Sequence, residues 1–336
     1  MTHVDIAQRR GASFAVALFG AGGYSGLELI KLLAAHPSAR LIAAASDSLA
    51  GTRLAVQTRI DDGGMVYSRL EQVLALRPDA ALLAVPPEAA TEIAPVMRAA
   101  GAKVIDLSNA YRAEPQQATY GLTSLFADEI AGARLVANPG CYATCVITAL
   151  APLVRHGLIE RDIFVAAGSG VTGAGKQAAE AMSLGEMHAN VRAYKVLRHQ
   201  HTPEIEMALG RVAADGARPR VTLTTHLLPV ARGIFATLNV RLRAPMSSAD
   251  LTAKLRSDYA GDPTVVVVDT PEDVSLRHVV GTNQTHVGIA AKDDICVVTA
   301  ALDNLLKGAA GQAVENLNLV LGAPRMAGLA HLGRHG

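Results

Sequence analysis

The sequence predicts an α/β protein of two domains, a doubly wound domain with a mainly parallel sheet and an α+β domain with a mixed sheet. The chain has 336 residues, more than one ordinary hydrophobic core accommodates. Short apolar runs alternate with helical patterns as far as Asn138, and strand-like runs separated by short turns dominate after about Ala151. We therefore place the first domain at residues 1–140 and 311–336, and the second at residues 141–310.

Composition and charge describe an ordered globular chain. Half of the residues are hydrophobic, 18% are charged, and the formal net charge is +1. Because there is neither a basic stripe nor an acidic tail, we expect no nucleic-acid partner. No apolar run approaches the roughly 20 residues that span a bilayer, so we expect no membrane segment. Three cysteines are too few for a disulfide framework and favour a reducing, cytoplasmic setting. Residues 1–13 are expected to be a short disordered lead-in.

The first elements form a strand, a glycine turn, a helix and a second strand. Phe14–Phe19 is an apolar run that ends at the segment 20–26 (GAGGYSG), and a helical pattern over 25–36 leads to a strand over 40–45. Such glycines permit a tight turn and the close approach of a pyrophosphate, which the helix N-terminus then holds. The spacing departs from G-x-G-x-x-G because Ser25 stands at the third glycine position. The motif therefore predicts a Rossmann-type fold only together with its flanking strand and helix.

The remaining predicted strands and helices continue the α/β alternation of the first domain and the strand-rich pattern of the second. In the first domain we expect further strands at 79–85, 103–107 and 133–138, with a helix at 88–100. In the second domain we expect strands at 163–167, 221–228, 234–242, 265–268, 287–291 and 295–299. A helix-rich stretch over 302–320 is a candidate to return to the first domain.

Cys141 lies in the segment 138–144 (NPGCYAT), where a predicted strand leads to a Pro-Gly turn and a helix that runs to about Val154. Unpaired backbone N–H groups and the dipole at a helix N-terminus stabilise an anion and favour the reactive thiolate over the thiol. For a cysteine considered alone, a small buried packing residue is the alternative. We interpret Cys145 and Cys296 as packing residues.

Three polar segments of the second domain carry further candidates. The segment 168–176 (GSGVTGAGK) follows a strand and is either a loop that approaches a cofactor or a mobile linker. The segment 198–206 (RHQHTPEIE) places two histidines near two carboxylates, which suits an oriented general base. A metal site, or a solvated helix start with Pro203 in its first turn, are the alternatives. In the segment 226–233 (HLLPVARG), Arg232 is a candidate for binding an anion.

Taken together and in this order, these segments resemble the N-acetyl-gamma-glutamyl-phosphate reductase family. The resemblance runs from about residue 14 to 322, and its motifs are GAGGYSG, the Asp106-Leu107-Ser108 segment leading to Arg112, NPGCYAT, SGVTGAGK, RHQHTPEIE, HLLPVARG, GTNQTHVGIA and DNLLKGAAGQAVENLN. It implies an NADPH-dependent reduction of an acyl phosphate to a semialdehyde through a Cys141 thioester, in arginine biosynthesis. It also implies a small-molecule substrate and a homodimer or homotetramer.

The resemblance assigns roles to individual residues. It implies that His201 is the acid/base residue, oriented by Glu206 or Glu204, with His199 as the alternative. The substrate-binding residues that it implies are Arg112, Arg198, Arg232 and Ser108. The cofactor-binding residues that it implies are Gly20, Gly23, Tyr24, Ser25, Gly26, Ser46, Ser169, Gly170, Gly173 and Asn316. No metal is implied.

Two segments depart from the family's pattern. Many relatives carry an arginine in a Ser-Arg-Ser-like segment after the second strand, whereas this chain has Ser46-Asp47-Ser48. An acidic residue there hydrogen-bonds a ribose hydroxyl in NAD enzymes, so NAD stays open beside NADP, with Arg53 as a candidate to compensate. The segment 121–124 (GLTS) replaces Gly-Leu-Pro-Glu, which leaves acyl-chain specificity open, including a carrier-protein-linked or aminoadipyl phosphate.

Two other functions are alternatives at this point. Aspartate-β-semialdehyde dehydrogenase shares the architecture and the thiol chemistry, but places its cysteine in a different local motif. A non-catalytic nucleotide-binding protein with a structural Cys141 belongs to another class, and it predicts cofactor binding without turnover.

Overall fold

A computed structural model describes residues 14–60, 63–176 and 184–333, and the lead-in predicted for residues 1–13 lies outside them. The chain divides into two compact units, residues 1–139 with 309–336, and residues 140–308. In the described ranges, no helix has the length and hydropathy needed to cross a bilayer. The three cysteines all lie within these ranges, and none forms a disulfide.

The first unit contains a parallel sheet with helices between its strands. Its strands are β1 (Phe14–Phe19), β2 (Ala39–Ala45), β3 (Ala80–Leu83), β4 (Lys103–Asp106), β5 (Thr119–Tyr120) and β6 (Leu135–Ala137). Its helices up to that point are α1 (Tyr24–Ala34), α2 (Leu54–Thr58), α3 (Leu70–Leu74), α4 (Pro87–Ala99) and α5 (Thr123–Ala131). The order across the sheet is β2-β1-β3-β4-β6-β5, and the paired strands are parallel.

Local sequence explains the helices and strands of this sheet. The residues of β3 are all buried, as are those of β4 after Lys103, which matches strands covered on both faces. Helix α4 begins at Pro87, whose fixed φ suits the first turn, and it ends before Gly101, which has a φ of 98°. Because β2 and β3 lie on opposite sides of β1, the strand order reverses at β1. A crevice at such a point is where this class of sheet binds ligands.

The second unit contains a mixed sheet. Its helices are α6 (Cys141–Arg155), α7 (Leu184–Met187), α8 (His201–Val212), α9 (Ser248–Asp258) and α10 (Leu276–Val279). Its strands are β7 (Asp162–Gly170), β8 (Arg192–Tyr194), β9 (Arg220–Leu228), β10 (Ile234–Arg241), β11 (Val265–Val267), β12 (Thr285–Lys292) and β13 (Ile295–Leu302). The order is β11-β12-β13-β10-β7-β9-β8, with β7–β9 and β11–β12 parallel and the other neighbours antiparallel.

Helices cover one face of this sheet. Helix α6 packs against α8, α9, β10 and β13, and α9 also packs on β12. Side chains along β9 and β10 alternate between buried and more exposed positions, as expected for a sheet with one covered face. On the other face, Phe164 and Ile295 are about half exposed, at 55% and 50%.

The chain returns to the first unit at its C-terminal end. A π-helical turn over 306–310 is followed by α11 (Gly311–Val320), which packs against α1, α5 and β4. The predicted helical start at Leu302 is wrong, because Leu302 is the last residue of β13 and pairs with Thr285. The predicted fold class, a Rossmann-type α/β domain with a second α+β domain, is confirmed.

Candidate active site

Cys141 is the first residue of α6. The preceding residue, Gly140, is the N-cap in an extended conformation (φ −72°, ψ 153°), and no side chain caps the helix. The Cys141 side chain is partly exposed, whereas Cys145 and Cys296 are buried. Burial raises the pKa of Cys296 to about 12, and burial together with the nearby Cys141 raises the pKa of Cys145. The placement therefore gives Cys141 the exposure and the helix start that the sequence predicts, and leaves the other two thiols inert.

The His201 ring lies directly on Gly140. A Cβ atom built at Gly140 would overlap the imidazole, since it would lie only 2.6 Å from the His201 Cδ2 atom. Only glycine therefore fits beneath the ring. Glu204 is buried, and its Oε1 accepts a hydrogen bond from the Gly140 N–H at 2.9 Å. Since His201 and Glu204 lie three residues apart in α8, they share one face of that helix. Both side chains thus meet the residue that precedes Cys141.

The orienting role that the resemblance implies for Glu206 or Glu204 stays a prediction, and the structure gives the two carboxylates different partners. Its Oε1 accepts a hydrogen bond from the backbone N–H of Val221 in β9 at 2.9 Å. Five residues of α-helix turn a side chain by about 140°, so Glu206 faces away from the side that carries His201. Glu204 therefore shares a helix face with His201 and bonds Gly140, whereas Glu206 anchors α8 to the sheet.

His199 is buried in a group of four rings that we call the aromatic cluster: Tyr142, Tyr194, His199 and His201. The His199 ring centroid lies 4.7 Å from that of His201, 5.2 Å from Tyr142 and 5.8 Å from Tyr194, all edge to face. Its Nδ1 accepts a hydrogen bond from the His201 N–H at 3.2 Å. Burial, and then the charge of Lys195, lower the pKa of His199 to about 4. The interpretation as a solvated helix start is wrong, because His199 and His201 are 4% and 6% exposed.

The two tyrosine hydroxyls of the cluster form a short chain. Tyr194 donates to the Tyr142 hydroxyl at 3.1 Å, and Tyr142 donates to the carbonyl oxygen of His226 at 3.3 Å. Burial raises the pKa of both phenols, that of Tyr194 to about 12, so both stay protonated. Ser169 also hydrogen-bonds Tyr142. The cluster is therefore a polar assembly whose hydroxyls are internally satisfied.

The predicted glycine-rich loop begins later than expected. Ser169 and Gly170 belong to β7, and Ser169 is buried, while Gly173 lies in the short helical turn 171–174 that follows. Their cofactor-binding role stays a prediction.

Arg232 and Arg198 differ in their surroundings. Arg232 Nη1 lies 3.6 Å from the buried carboxylate of Asp303, whose oxygens also accept the N–H groups of Gly281 and Leu305 at 2.9 Å and 2.8 Å. Arg198 is exposed before α8. Sequence reasoning missed Asp303, although it opens the DNLLKG segment that contributed to the family resemblance. The substrate roles of both arginines stay predictions.

The glycine turn of the first unit leaves room for a phosphate. Gly20 has a φ of 77°, and a Cβ there would overlap the carbonyl oxygen of Ala84. A Cβ at Gly26 would overlap Gly20, so the helix packs closely on the strand. Gly23 is the N-cap of α1, which has no side-chain cap, and a Cβ there would meet only the Gly20 oxygen, at 3.6 Å. Tyr24 and Ser25 are the first two helical residues, whose N–H groups point along the axis of α1.

One carboxylate oxygen of Asp47 is hydrogen-bonded within the protein. Its Oδ1 accepts a hydrogen bond from the backbone N–H of Leu70, the first residue of α3, at 3.0 Å. The hydroxyls of Ser46 and Ser48 lie 3.4 Å apart on either side of it, and Arg53 is exposed. Asp47 therefore caps a helix, which weakens the argument for NAD that its sequence position raised.

Arg112 and Ser108 both hold backbone groups of the first unit. Arg112 donates to the carbonyl oxygens of Asn138 at 2.8 Å and Leu107 at 2.6 Å. Ser108 donates to Asp106 Oδ2 at 2.8 Å and accepts the Ala110 N–H at 3.0 Å. Burial raises the pKa of Asp106, although hydrogen bonds from Ser108 and the charge of Arg112 oppose that rise. The substrate-binding roles of Arg112 and Ser108 stay predictions.

Asn316 is a buried residue of α11 with an unused acceptor. Its Nδ2 donates to the Gly121 carbonyl and to Asn138 Oδ1, both at 2.9 Å. Its own Oδ1 is buried and has no hydrogen-bond partner in the part of the chain that the structure describes. A donor from a bound ligand would satisfy this oxygen, so Asn316 and the glycine turn both fit a dinucleotide. Across the same residues, no group of three or more His, Cys, Asp or Glu side chains is arranged to hold a metal.

Two family models match the two units of the chain. Residues 15–133 match the family model described as semialdehyde dehydrogenase, NAD binding domain, and residues 141–304 match semialdehyde dehydrogenase, dimerisation domain. The first match indicates a nicotinamide dinucleotide as the cofactor of the first unit. A solved structure described as a probable aspartate-semialdehyde dehydrogenase from Pseudomonas aeruginosa superposes with a TM-score of 0.76 and 23% identity, covering 92% of this chain and 98% of that one. At this identity the likeness shows the fold alone.

Curated relatives share more of the sequence. N-acetyl-gamma-glutamyl-phosphate reductase of Geobacillus stearothermophilus is 38% identical, covering 94% of this chain and 98% of the relative. The protein of the same name from Thermus thermophilus is 39% identical, covering 91% of this chain and 96% of the relative. The chain belongs to the N-acetyl-gamma-glutamyl-phosphate reductase family of semialdehyde dehydrogenases.

Proposed function

We propose that this chain reduces N-acetyl-gamma-glutamyl phosphate to N-acetylglutamate semialdehyde with release of phosphate, using NADPH, as a step of arginine biosynthesis. The observation that carries the proposal is the pair of contacts at Gly140. There the His201 ring and the Glu204 carboxylate meet the N-cap of the helix that begins with Cys141. The names of the relatives supply the substrate.

The first chemical step uses Cys141 as the nucleophile. Its sulfur attacks the acyl carbon, the bond from that carbon to the phosphate oxygen breaks, and phosphate leaves with the electron pair. A thioester on Cys141 results. The N-terminus of α6 stabilises the thiolate before attack, and His201 accepts the proton that the thiol gives up.

The second half of the reaction returns the enzyme to its starting state. When bound, the reduced nicotinamide would supply a hydride to the thioester carbon. His201 returns the proton that it took from the thiol to the former carbonyl oxygen, so that a thiohemiacetal forms on Cys141. His201 then takes the hydroxyl proton as the carbon–sulfur bond breaks, which releases the semialdehyde and restores Cys141. Glu204 holds the start of α6 through the Gly140 N–H, so His201 and Cys141 keep their relation during both steps.

The assignment of the acid/base role to His201 rests on the state of His199. The Nδ1 of His199 already accepts a backbone N–H, and its pKa of about 4 keeps the ring neutral near neutrality. An efficient general acid or base has a pKa near the working pH. Because His199 has a low pKa and its Nδ1 is already bonded, we assign the role to His201.

The first unit takes the cofactor and the second carries the thiol and the oligomer contacts. The glycine turn and Asn316 hold the dinucleotide, and we assign Ser46 to the adenosine end. We infer NADPH rather than NADH because Asp47, the residue that would favour NADH, is bonded to Leu70. Arg198 and Arg232 are our candidates in the second unit for the substrate's phosphate or carboxylate. A homodimer or homotetramer agrees with the matched dimerisation model.

The proposed reaction is tested in reverse. N-acetylglutamate semialdehyde, phosphate and NADP⁺ should produce reduced nicotinamide, which is followed by its absorbance. Cys141→Ser is the matched control, and it should fold and bind NADPH while losing turnover. Aspartate semialdehyde offered in parallel should react far more slowly. An active preference for aspartate semialdehyde, or no absorbance change with folded protein, would contradict the proposal.

The cofactor is tested separately by comparing kcat/KM for NADPH and NADH. We expect a preference for NADPH, and a clear preference for NADH would refute that part of the proposal alone.

A further inference from the structure

We propose that His199 is a positioning residue, which fixes the His201 ring over Gly140 and thereby tunes the reactivity of Cys141. The inference rests on the proposed function, because it assumes that His201 exchanges protons with Cys141. In this role His199 acts through His201 rather than on the substrate.

The first observation is that His199 supplies the cap that α8 otherwise lacks. The N-cap residue, Gln200, already has helical dihedrals (φ −61°, ψ −16°), and its side chain makes no capping bond. His199 Nδ1 accepts the His201 N–H at 3.2 Å, and its carbonyl oxygen accepts the Thr202 N–H at 3.1 Å. Two backbone donors of the first turn are thus satisfied by one residue. The bond at Nδ1 places the ring proton on Nε2 and requires a neutral imidazole.

The second observation is that the His199 ring is enclosed by the other rings of the aromatic cluster. Tyr142 comes from α6, Tyr194 from β8 and His201 from α8, so three elements fix one ring. Tyr142, Tyr194 and His201 face it from these three elements, and the charge of Lys195 acts on it as well. The two phenols stay protonated, so Lys195 is the permanent charge that opposes protonation of His199.

The third observation connects this arrangement to the thiol. The His201 ring lies on Gly140 with no space between them, because even a methyl group there would overlap it. His199 contacts His201 at both its backbone N–H and its ring. A change at His199 therefore displaces the ring that faces the residue before Cys141. Displacements of about 1 Å in such a constellation cost about 100-fold in rate.

The two properties of His199 are separated by substitution. His199→Phe keeps an aromatic ring in the cluster but removes the acceptor. His199→Asn keeps an acceptor at the position of Nδ1 but removes most of the ring. His156→Phe is the matched control, since His156 is the C-cap of α6, at the end opposite to Cys141, and its ring bonds Asp258 at 2.8 Å.

Two measurements report the outcome. The first is kcat and KM in the reverse reaction. The second is the rate at which iodoacetamide alkylates Cys141 as a function of pH, without substrate or cofactor. This second rate reports Cys141 because Cys145 and Cys296 are buried.

We expect His199→Phe to lower kcat about 10-fold to 100-fold, to change KM less than about twofold, and to shift the pH midpoint of alkylation. His199→Asn should recover most of kcat and the wild-type midpoint. His156→Phe should match the wild type in both measurements. If His199→Phe does not fold, His199→Gln, whose amide lies beyond the Nδ1 position, takes its place with the same expected losses.

The inference fails if His199→Phe, or His199→Gln in its place, keeps the wild-type kcat and alkylation midpoint, even where its melting temperature falls. It also fails if His199→Asn loses as much kcat as His199→Phe, since the acceptor would then not matter. The proposed function fails separately: a shifted alkylation midpoint in a protein that never turns over the semialdehyde supports the coupling and contradicts the reaction.

Discussion

Gly23 and Gly140 occupy the same position at the starts of α1 and α6. Each is the N-cap in an extended conformation, with φ of −77° and −72°, and neither helix has a side-chain cap. Their surroundings differ. A Cβ at Gly23 would meet one carbonyl oxygen at 3.6 Å, whereas a Cβ at Gly140 would overlap the His201 ring, and the Gly140 N–H is already bonded to Glu204.

The difference shows how one backbone feature serves two kinds of anion. The open start of α1 suits a phosphate from outside the chain, because among the described residues a Cβ at Gly23 would meet one atom within 4 Å, the Gly20 oxygen. The covered start of α6 would serve the thiolate of its own first residue, Cys141, and in the proposed function the His201 ring that covers Gly140 is the proton acceptor. Helix N-termini alone do not distinguish a ligand site from a nucleophile site. The neighbouring side chains do.

The largest expected effect concerns the residue that covers the second helix start. His201→Asn should lower kcat about 10²-fold to 10⁴-fold, since it removes the proton acceptor. The Kd for NADPH, measured by fluorescence titration, should stay at the wild-type value. A near-normal kcat would transfer the acid/base role to His199.

Matched alanine substitutions at the two N-caps test the comparison directly. Gly140→Ala should lower kcat about 100-fold, because the new Cβ displaces the His201 ring. Gly23→Ala should weaken NADPH binding less than about tenfold and leave the rate of Cys141 alkylation unchanged, because the space there is open. Equal losses in the two variants would contradict the distinction between an open and a covered helix start.

A smaller effect is expected in the pH dependence of stability. The pKa of His199 is lowered from 6.5 to about 4 in the folded protein, chiefly by burial. Between those values the unfolded chain binds a proton that the folded chain does not, so the free energy of unfolding should fall as the pH is lowered through this window. Urea denaturation at both ends of this pH window should show that the free energy of unfolding falls less for His199→Asn than for the wild type. An identical decrease in both proteins would show that His199 is not the group responsible.

The smallest effect concerns Asp47, beside the open helix start. Asp47→Asn keeps the acceptor for the Leu70 N–H and removes an exposed charge, so the ratio of the Kd values for NADPH and NADH should change less than about threefold. Isothermal titration with each nucleotide measures that ratio. A tenfold weaker affinity for NADH alone would show instead that the carboxylate contacts the ribose.

The sequence predicted those parts of the fold that depend on residues close together in the chain. The alternation of apolar runs and helical patterns predicted the parallel sheet, and the segments around Gly20 and Cys141 predicted two helix starts, at or within one residue of where α1 and α6 begin. Short elements such as α5 and β8 were missed, since two or three turns of helix or three residues of strand carry little periodic signal. The helix expected from Leu302 was wrong because the apolar run there continues β13.

In the candidate site, too, some features could be predicted from the sequence and others could not. Motifs led to Cys141 and His201 as candidates, whose roles stay predictions. That Glu204, and not Glu206, shares a helix face with His201 follows from helical geometry, which a residue count alone can supply. The role of Asp303, bonded to Gly281 and Leu305, depends on a turn that sequence periodicity does not reveal. The bond between Asp47 and the Leu70 N–H, 23 residues along the chain, was also beyond sequence reasoning, and the choice between NADP and NAD stays a prediction.

The sequence by itself determined the fold class, the family, the thiol and the glycine turn, because these depend on residue types at short spacing. Only the tertiary structure decided that His201 covers Gly140, that Glu204 bonds its N–H, and that His199 is held neutral within the aromatic cluster. These contacts join residues about 60 positions apart in the chain. Burial and the direction of a hydrogen bond arise only when such distant segments pack together, and they set which group donates, which accepts and which stays uncharged.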